Sequence, residues 1–90
     1  MVRKRMIFYG RVQGVGFRYR AYQEACKQGL TGWVRNDWDG TVTMEAQGEE
    51  QAINGVVEAL QRGRYISISH IEVRDLPLEP SERGFRVEGY

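Results

Sequence analysis

The sequence predicts an α+β fold in which two helices pack on one face of an antiparallel sheet. Apolar residues alternate in several short segments, which is the pattern of strands with one buried face. Two longer segments place apolar residues three and four positions apart, as amphipathic helices do. These segments follow one another in the order βαββαβ, with a short extra strand at the C-terminus. That order is typical of the ferredoxin-like plan.

The first half of the chain contains a strand, a helix and a pair of strands. Residues 4–12 form the predicted first strand, with alternating apolar positions at Met6, Phe8 and Val12. Residues 17–28 form the predicted first helix, whose apolar stripe consists of Phe17, Ala21, Tyr22, Ala25 and Cys26. Gly29 suits the end of this helix, because glycine readily adopts the left-handed conformation found just beyond helix C-termini. Residues 31–36 and 41–47 are predicted strands joined by a turn.

The second helix is predicted to begin after Gly48 and to end at Arg62 and Gly63. Its apolar stripe consists of Ile53, Val56, Val57 and Leu60. Gly55 inside this helix costs about 0.5–1 kcal/mol relative to alanine. We therefore expect this side of the helix to pack closely against a neighbour.

The last third of the chain has a less regular pattern. In residues 65–76 the apolar alternation changes side near His70, which indicates either a β-bulge or a loop. We expect a loop first, followed by a strand over residues 69–75. Phe85 and Val87 then alternate in a short terminal strand.

Length and composition predict a single domain over residues 1–90. Cys26 is the only cysteine, which excludes an internal disulfide and favours a reducing compartment. The chain has no run of 18 apolar residues, and residues 6–9 are too short for the apolar core of a signal peptide. We therefore expect a cytoplasmic monomer without a membrane partner.

The charges are nearly balanced, with 13 Lys and Arg against 12 Asp and Glu. A general nucleic-acid binder depends on an excess of basic residues that neutralise phosphates, so we expect no nucleic-acid partner. The only basic run is Arg3-Lys4-Arg5. We interpret it as the solvated start of an edge strand.

A glycine-containing loop over residues 10–18 separates the first strand from the first helix. Gly14 and Gly16 permit positive φ and close approach of the backbone to a ligand. The first N–H groups of a helix have no intrahelical partner, and the helix dipole favours an anion there. Arg18 adds a planar fork of donors that matches a tetrahedral oxyanion. This pattern predicts a phosphate site, although a tight turn beside a surface arginine has the same spacing.

The common nucleotide motifs do not match this loop. A P-loop requires Lys followed by Ser or Thr where Phe17 and Arg18 stand. A dinucleotide-binding loop requires glycine where Tyr19 stands. The residues therefore indicate an anion site without specifying a nucleotide.

Few other side chains are candidates for chemistry. His70 lies far from the loop in sequence, and Cys26 falls on the apolar stripe of the first helix, where we expect a core residue. Asp37 and Asp39 are explained by turn chemistry, and no cluster has metal-ligand spacing. We therefore expect no metal or organic cofactor, and catalysis would depend on positioning and electrostatics.

Two longer segments of the sequence resemble segments of a known protein family. Val12-Gln13-Gly14-Val15-Gly16-Phe17-Arg18 resembles the phosphate loop of the acylphosphatase family. Gly29-Leu30-Thr31-Gly32-Trp33-Val34-Arg35-Asn36, followed by Asp39-Gly40-Thr41-Val42, resembles a second block of that family in the same order and spacing. The resemblance extends from the first strand to Tyr90 and implies the ferredoxin-like fold.

The resemblance also implies an activity and its residues. It implies hydrolysis of acyl phosphates to a carboxylate and inorganic phosphate, with Arg18 and Asn36 as the catalytic residues. Asn36 would orient the attacking water; without the family, it would be interpreted as an ordinary residue before a turn. The substrate phosphate would be bound by Gln13, Gly14, Val15, Gly16, Phe17 and Arg18.

Two alternatives remain at this point. One is a module that binds phosphate-bearing ligands or RNA on a ferredoxin-like sheet, although the aromatic string of RNA-recognition domains is missing. The other is a domain of a larger protein that handles carbamoyl phosphate. Because the chain opens with Met1 and completes the family pattern by Tyr90, we expect a free-standing enzyme.

Overall fold

A computed structural model describes residues 1–89 as a five-stranded sheet with two helices on one face. The elements in chain order are β1 (Val2–Arg11), α1 (Phe17–Lys27), β2 (Thr31–Asn36), β3 (Val42–Gly48), α2 (Glu50–Gln61), β4 (Ser67–Leu76) and β5 (Phe85–Glu88). This confirms the predicted order and the ferredoxin-like plan. Tyr90, the end of the sequence resemblance, lies outside the described residues.

The strands lie in the order β4-β1-β3-β2-β5. β1 is antiparallel to both β3 and β4, and β2 is antiparallel to β3. The four strands β1 to β4 pair antiparallel as predicted, whereas the short C-terminal strand β5 is parallel to β2 and makes the sheet mixed. The cause is the connection over residues 77–84, which crosses the open face of the sheet before β5 begins. Gln47 Nε2 donates to the Glu79 carbonyl at 3.1 Å along this path.

Alternate side chains of the central strands form the core. Met6 and Phe8 of β1 are buried, together with Val42, Met44 and Ala46 of β3, as their alternation predicts. The helices cover this face with Phe17, Ala21, Ala25, Ile53, Val56 and Leu60. Phe8 and Phe17 meet edge to face with ring centroids 4.9 Å apart, which fixes the start of α1 against β1.

The predicted stripe of α1 was too wide. The buried residues are Phe17, Ala21 and Ala25, at intervals of four, whereas Tyr22 is 39% exposed and Cys26 is also exposed. Each step along a helix rotates the side chain by about 100°, so positions 22 and 26 turn away from a contact made along one narrow line. The expectation that Cys26 is a core residue was therefore wrong.

The irregularity near His70 is a β-bulge inside β4, and the expected loop before this strand is confined to residues 65–66 of the segment. Tyr9 pairs with His70 and Gly10 pairs with Ile68, so Ser69 is the extra residue, and β4 begins at Ser67. Gly10 has φ of 120°, and a Cβ at this position would lie 2.2 Å from the Ser67 carbonyl oxygen. Only glycine permits this close approach of the two strands.

The basic N-terminal run was also misinterpreted. β1 is a central strand, and Arg3 is only 3% exposed. Arg3 Nη2 lies 2.9 Å from Glu45 of β3, and Arg3 Nη1 lies 2.7 Å from Glu82 in the 77–84 connection. A buried arginine is tolerated here because carboxylates pair with it on two sides. Across residues 1–89, neither helix is long and apolar enough to cross a membrane.

Candidate active site

The loop between β1 and α1 is held at both ends and open in the middle. Val12 and Phe17 are buried in the core, whereas Gly14 and Gly16 are exposed. Gly14 has φ of 71° and Gly16 has φ of 80°, both in the left-handed region that strains other residues. A turn of this kind can bring successive backbone N–H groups toward one side and make an anion-binding concavity.

The N-terminus of α1 carries backbone donors that have no partner in the described residues. The first helical hydrogen bond runs from Arg20 N–H to the Gly16 carbonyl at 3.0 Å. Within the described chain, the N–H groups of residues 14–19 have no acceptor. The first turn contains no acidic residue, although carboxylates are favoured at that position, and it carries Arg18 and Arg20 instead. The helix start is therefore suited to an external anion.

A cavity of about 200 Å³ lies in front of these groups. Its lining brings Arg18 together with Asn36, which is far away in sequence; the lining residues are Val12, Gly14, Gly16, Phe17, Arg18, Tyr19 and Asn36. Gln13 and Val15 are not among the lining residues. Six of the seven residues come from the loop and the first turn of α1, and one comes from the end of β2.

Most donors of the Arg18 guanidinium have no acceptor among residues 1–89. Its Nη1 donates to the Glu88 carbonyl of β5 at 3.4 Å, which is the long end of hydrogen-bond distance. No salt bridge involves Arg18 among residues 1–89. The guanidinium is thus directed by one backbone contact and is not neutralised by a carboxylate in the described structure.

Asn36 is the last residue of β2, two positions after the fully buried Val34, and pairs with Val42 of β3. This spacing places its side chain on the face that carries the helices. The side chain is partly buried and makes no hydrogen bond in the portion of the chain that the structure describes. An amide in this position can both donate and accept hydrogen bonds inside the cavity.

Gln13 connects the loop to the turn that follows Asn36. Its Nε2 donates to the Asp37 carbonyl at 2.6 Å and to the Thr41 carbonyl at 2.9 Å. The Asp37 carboxylate in turn accepts from the Thr43 hydroxyl at 2.6 Å. The side-chain amide of Gln13, a residue that the resemblance assigns to the phosphate site, is therefore occupied by the turn.

The remaining candidates lie elsewhere. His70 is exposed on edge strand β4 beside the Tyr9 ring, and Cys26 is exposed on α1. The Asp39 carboxylate accepts from the Thr41 hydroxyl at 2.7 Å and the Thr41 N–H at 3.1 Å, and these bonds lower the pKa of Asp39. This confirms turn chemistry for Asp39. Residues 1–89 contain no group of three His, Cys, Asp or Glu residues that could hold a metal ion.

Tyr19 lines the cavity but was not predicted as a site residue from the sequence. The signal was present, because helical side chains lean toward the N-terminus and a residue in the first turn covers the loop before it.

The family model for acylphosphatase matches residues 4–87. The chain belongs to the acylphosphatase family. As an acylphosphatase, the protein is a hydrolase that acts on acyl phosphates, which are small-molecule substrates.

Two relatives match this acylphosphatase over nearly the whole chain. An acylphosphatase of Geobacillus thermodenitrificans is 49% identical over 90 residues, covering 97% of this chain and 94% of the relative. The crystal structure of an acylphosphatase from Bacillus subtilis has a TM-score of 0.90 at 39% identity, covering 99% of this chain and 100% of that one.

A domain of a larger protein is also similar. The crystal structure of full-length HypF in a phosphate- and nucleotide-bound form matches with a TM-score of 0.85 at 29% identity. This match covers 99% of this chain but only 12% of HypF.

Proposed function

We propose that this acylphosphatase binds the phosphoryl group of its substrate in the 12–18 loop, stabilises it with Arg18, and uses Asn36 to orient the attacking water. The observation that supports this most directly is the shared cavity. Unpaired N–H groups, an arginine that is not neutralised and an amide without a hydrogen-bond partner all border one space among residues 1–89.

The loop and Arg18 act on the phosphoryl charge. In phosphoryl transfer the negative charge spreads over three equatorial oxygens, so catalysis depends mainly on positioned donors. The N–H groups of residues 15–18 supply neutral donors, and the guanidinium of Arg18 supplies two further donors with a full positive charge. Because these groups are positioned before the substrate arrives, they need no rearrangement in the transition state.

Asn36 acts on the water. A neutral amide can accept a hydrogen bond from water and donate one to it without repelling the phosphoryl group, as a carboxylate would. The water oxygen forms a bond to phosphorus while the bond from phosphorus to the acyl oxygen breaks. The bonding electron pair leaves with the carboxylate, and the proton of the water passes to a phosphate oxygen. An acyl phosphate needs no stronger base, because its carboxylate is a good leaving group.

A second candidate function is phosphate binding without turnover, as a module of a larger system. The similarity to a domain of HypF, whose structure holds phosphate and nucleotide, favours this alternative. Turnover by the isolated chain separates the two candidates.

The test is a phosphate-release assay with acetyl phosphate, carbamoyl phosphate and a phosphomonoester, with and without EDTA. We expect turnover of acyl phosphates that EDTA does not inhibit, and negligible turnover of the phosphomonoester. Phosphate binding without any acyl phosphate turnover would support the binding module instead. Strong inhibition by EDTA would contradict the proposed metal-free mechanism.

A further inference from the structure

We propose that the ring of Tyr19 forms the binding surface for the acyl group of the substrate. The enzyme would then favour aromatic acyl phosphates over acetyl phosphate. This inference rests on the proposed function, which assigns the phosphoryl group to the loop and Arg18. Tyr19 lines the same cavity as Arg18 and Asn36. It is nevertheless 66% exposed, which leaves an aromatic face available at the mouth of the site.

The orientation of the ring is held in two ways. Tyr19 is the third residue of α1, where side chains tend to lean toward the helix N-terminus, and it lines the cavity together with Gly14 and Gly16 of the loop. The Tyr19 hydroxyl also accepts a hydrogen bond from Gln23 Nε2, one turn later, at 2.9 Å. The ring is thus tethered at its outer end while its face stays open.

The roles of the other lining residues leave Tyr19 for the acyl group. Gly14 and Gly16 have no side chains, Val12 and Phe17 are buried in the core, and Arg18 is assigned to the phosphoryl oxygens. Attack on phosphorus is roughly in line, so the water and the leaving acyl oxygen lie on opposite sides. With the water at Asn36, the acyl group points away from β2. Tyr19 is the exposed side chain on the α1 wall of the cavity.

The experiment compares kcat/KM for benzoyl phosphate and acetyl phosphate in the full chain. Tyr19→Ala should lower the benzoyl-to-acetyl ratio about 3- to 10-fold, the fold-change that corresponds to one aromatic pair. Tyr19→Phe keeps the aromatic ring, so its benzoyl-to-acetyl ratio should stay close to that of the wild type. Tyr22→Ala is the matched control, because Tyr22 is exposed on the same helix but does not line the cavity.

Inorganic phosphate has no acyl group, so its inhibition constant should change less than about twofold in Tyr19→Ala, well below the effect of one aromatic contact. An unchanged ratio in Tyr19→Ala would overturn the inference, and so would a parallel loss on both substrates. Either result leaves the proposed function intact as long as the wild type hydrolyses acetyl phosphate. Absence of acetyl phosphate turnover by the wild type would instead overturn the proposed function itself.

Discussion

Gln13 offers a sharp test of how the two halves of the site are held together. Its side-chain amide spans from the loop to the carbonyls of Asp37 and Thr41, directly after Asn36. In Gln13→Ala both carbonyls keep a backbone donor, since Asp37 accepts from Gly40 N–H and Thr41 accepts from Asp37 N–H. The decrease in the free energy of unfolding should therefore lie near the lower end of the range for two hydrogen bonds, about 1–2 kcal/mol.

A loss of this size should be visible in both stability and rate. For a domain of this length it lowers the melting temperature by about 5–15 °C. The rate should fall through kcat, by about 10-fold, because Asn36 loses its fixed position while the loop donors remain; deleting a preorganised group outright costs 10²–10³-fold. The assay is thermal unfolding together with steady-state phosphate release.

Gln13→Glu separates this explanation from a simple loss of packing. It keeps the shape but places a carboxylate against two carbonyl oxygens, so it should be worse than alanine in both melting temperature and kcat. A Gln13→Glu protein with wild-type stability and kcat would refute the connecting role of Gln13.

The remaining predictions concern four other side chains. Asn36→Ala should lower kcat by about 10²–10³-fold while phosphate inhibition barely changes, and the reverse pattern would show that its role is in binding. Cys26→Ser and His70→Ala should leave kcat, melting temperature and the shape of the pH–rate profile unchanged, because both residues are exposed away from the cavity. Burial raises the pKa of Glu82, but the hydrogen bond and charge of Arg3 outweigh it and lower the pKa overall. Glu82 therefore stabilises the fold above the pKa of an unfolded glutamate, and this effect is lost as the pH falls through the lower pKa of the folded state. Glu82→Gln should weaken the loss of stability on acidification in that range, and an unchanged acid-unfolding curve would contradict this assignment.

The sequence predicted the features that depend on local patterns. Alternation placed Met6 and Phe8 in the core, and the glycines at 14 and 16 predicted the positive φ values of the loop. The errors concern features set by tertiary contacts. The position of β1 between two strands buried Arg3, which the sequence had placed on a solvated edge strand.

In the candidate site, too, local sequence patterns were predictive and tertiary contacts were not. The loop string predicted an anion site near Arg18, and the family resemblance added Asn36, which the structure brings into the same cavity. The side-chain contact of Gln13 was not predictable, because it depends on how closely the β2–β3 turn approaches the loop. Cys26 was misplaced because a stripe on a helical wheel does not reveal how wide the packed contact is.

The role of Arg18 is tested most directly by the acetyl phosphate turnover of Arg18→Ala, measured on folded protein at saturating substrate. We expect turnover to be lost, and Arg18→Lys to restore little of it because a point charge cannot form the two-pronged contact. The control Arg83→Ala, at an exposed position, should keep the wild-type rate. Near-normal turnover by a folded Arg18→Ala protein would show that Arg18 does not stabilise the phosphoryl group.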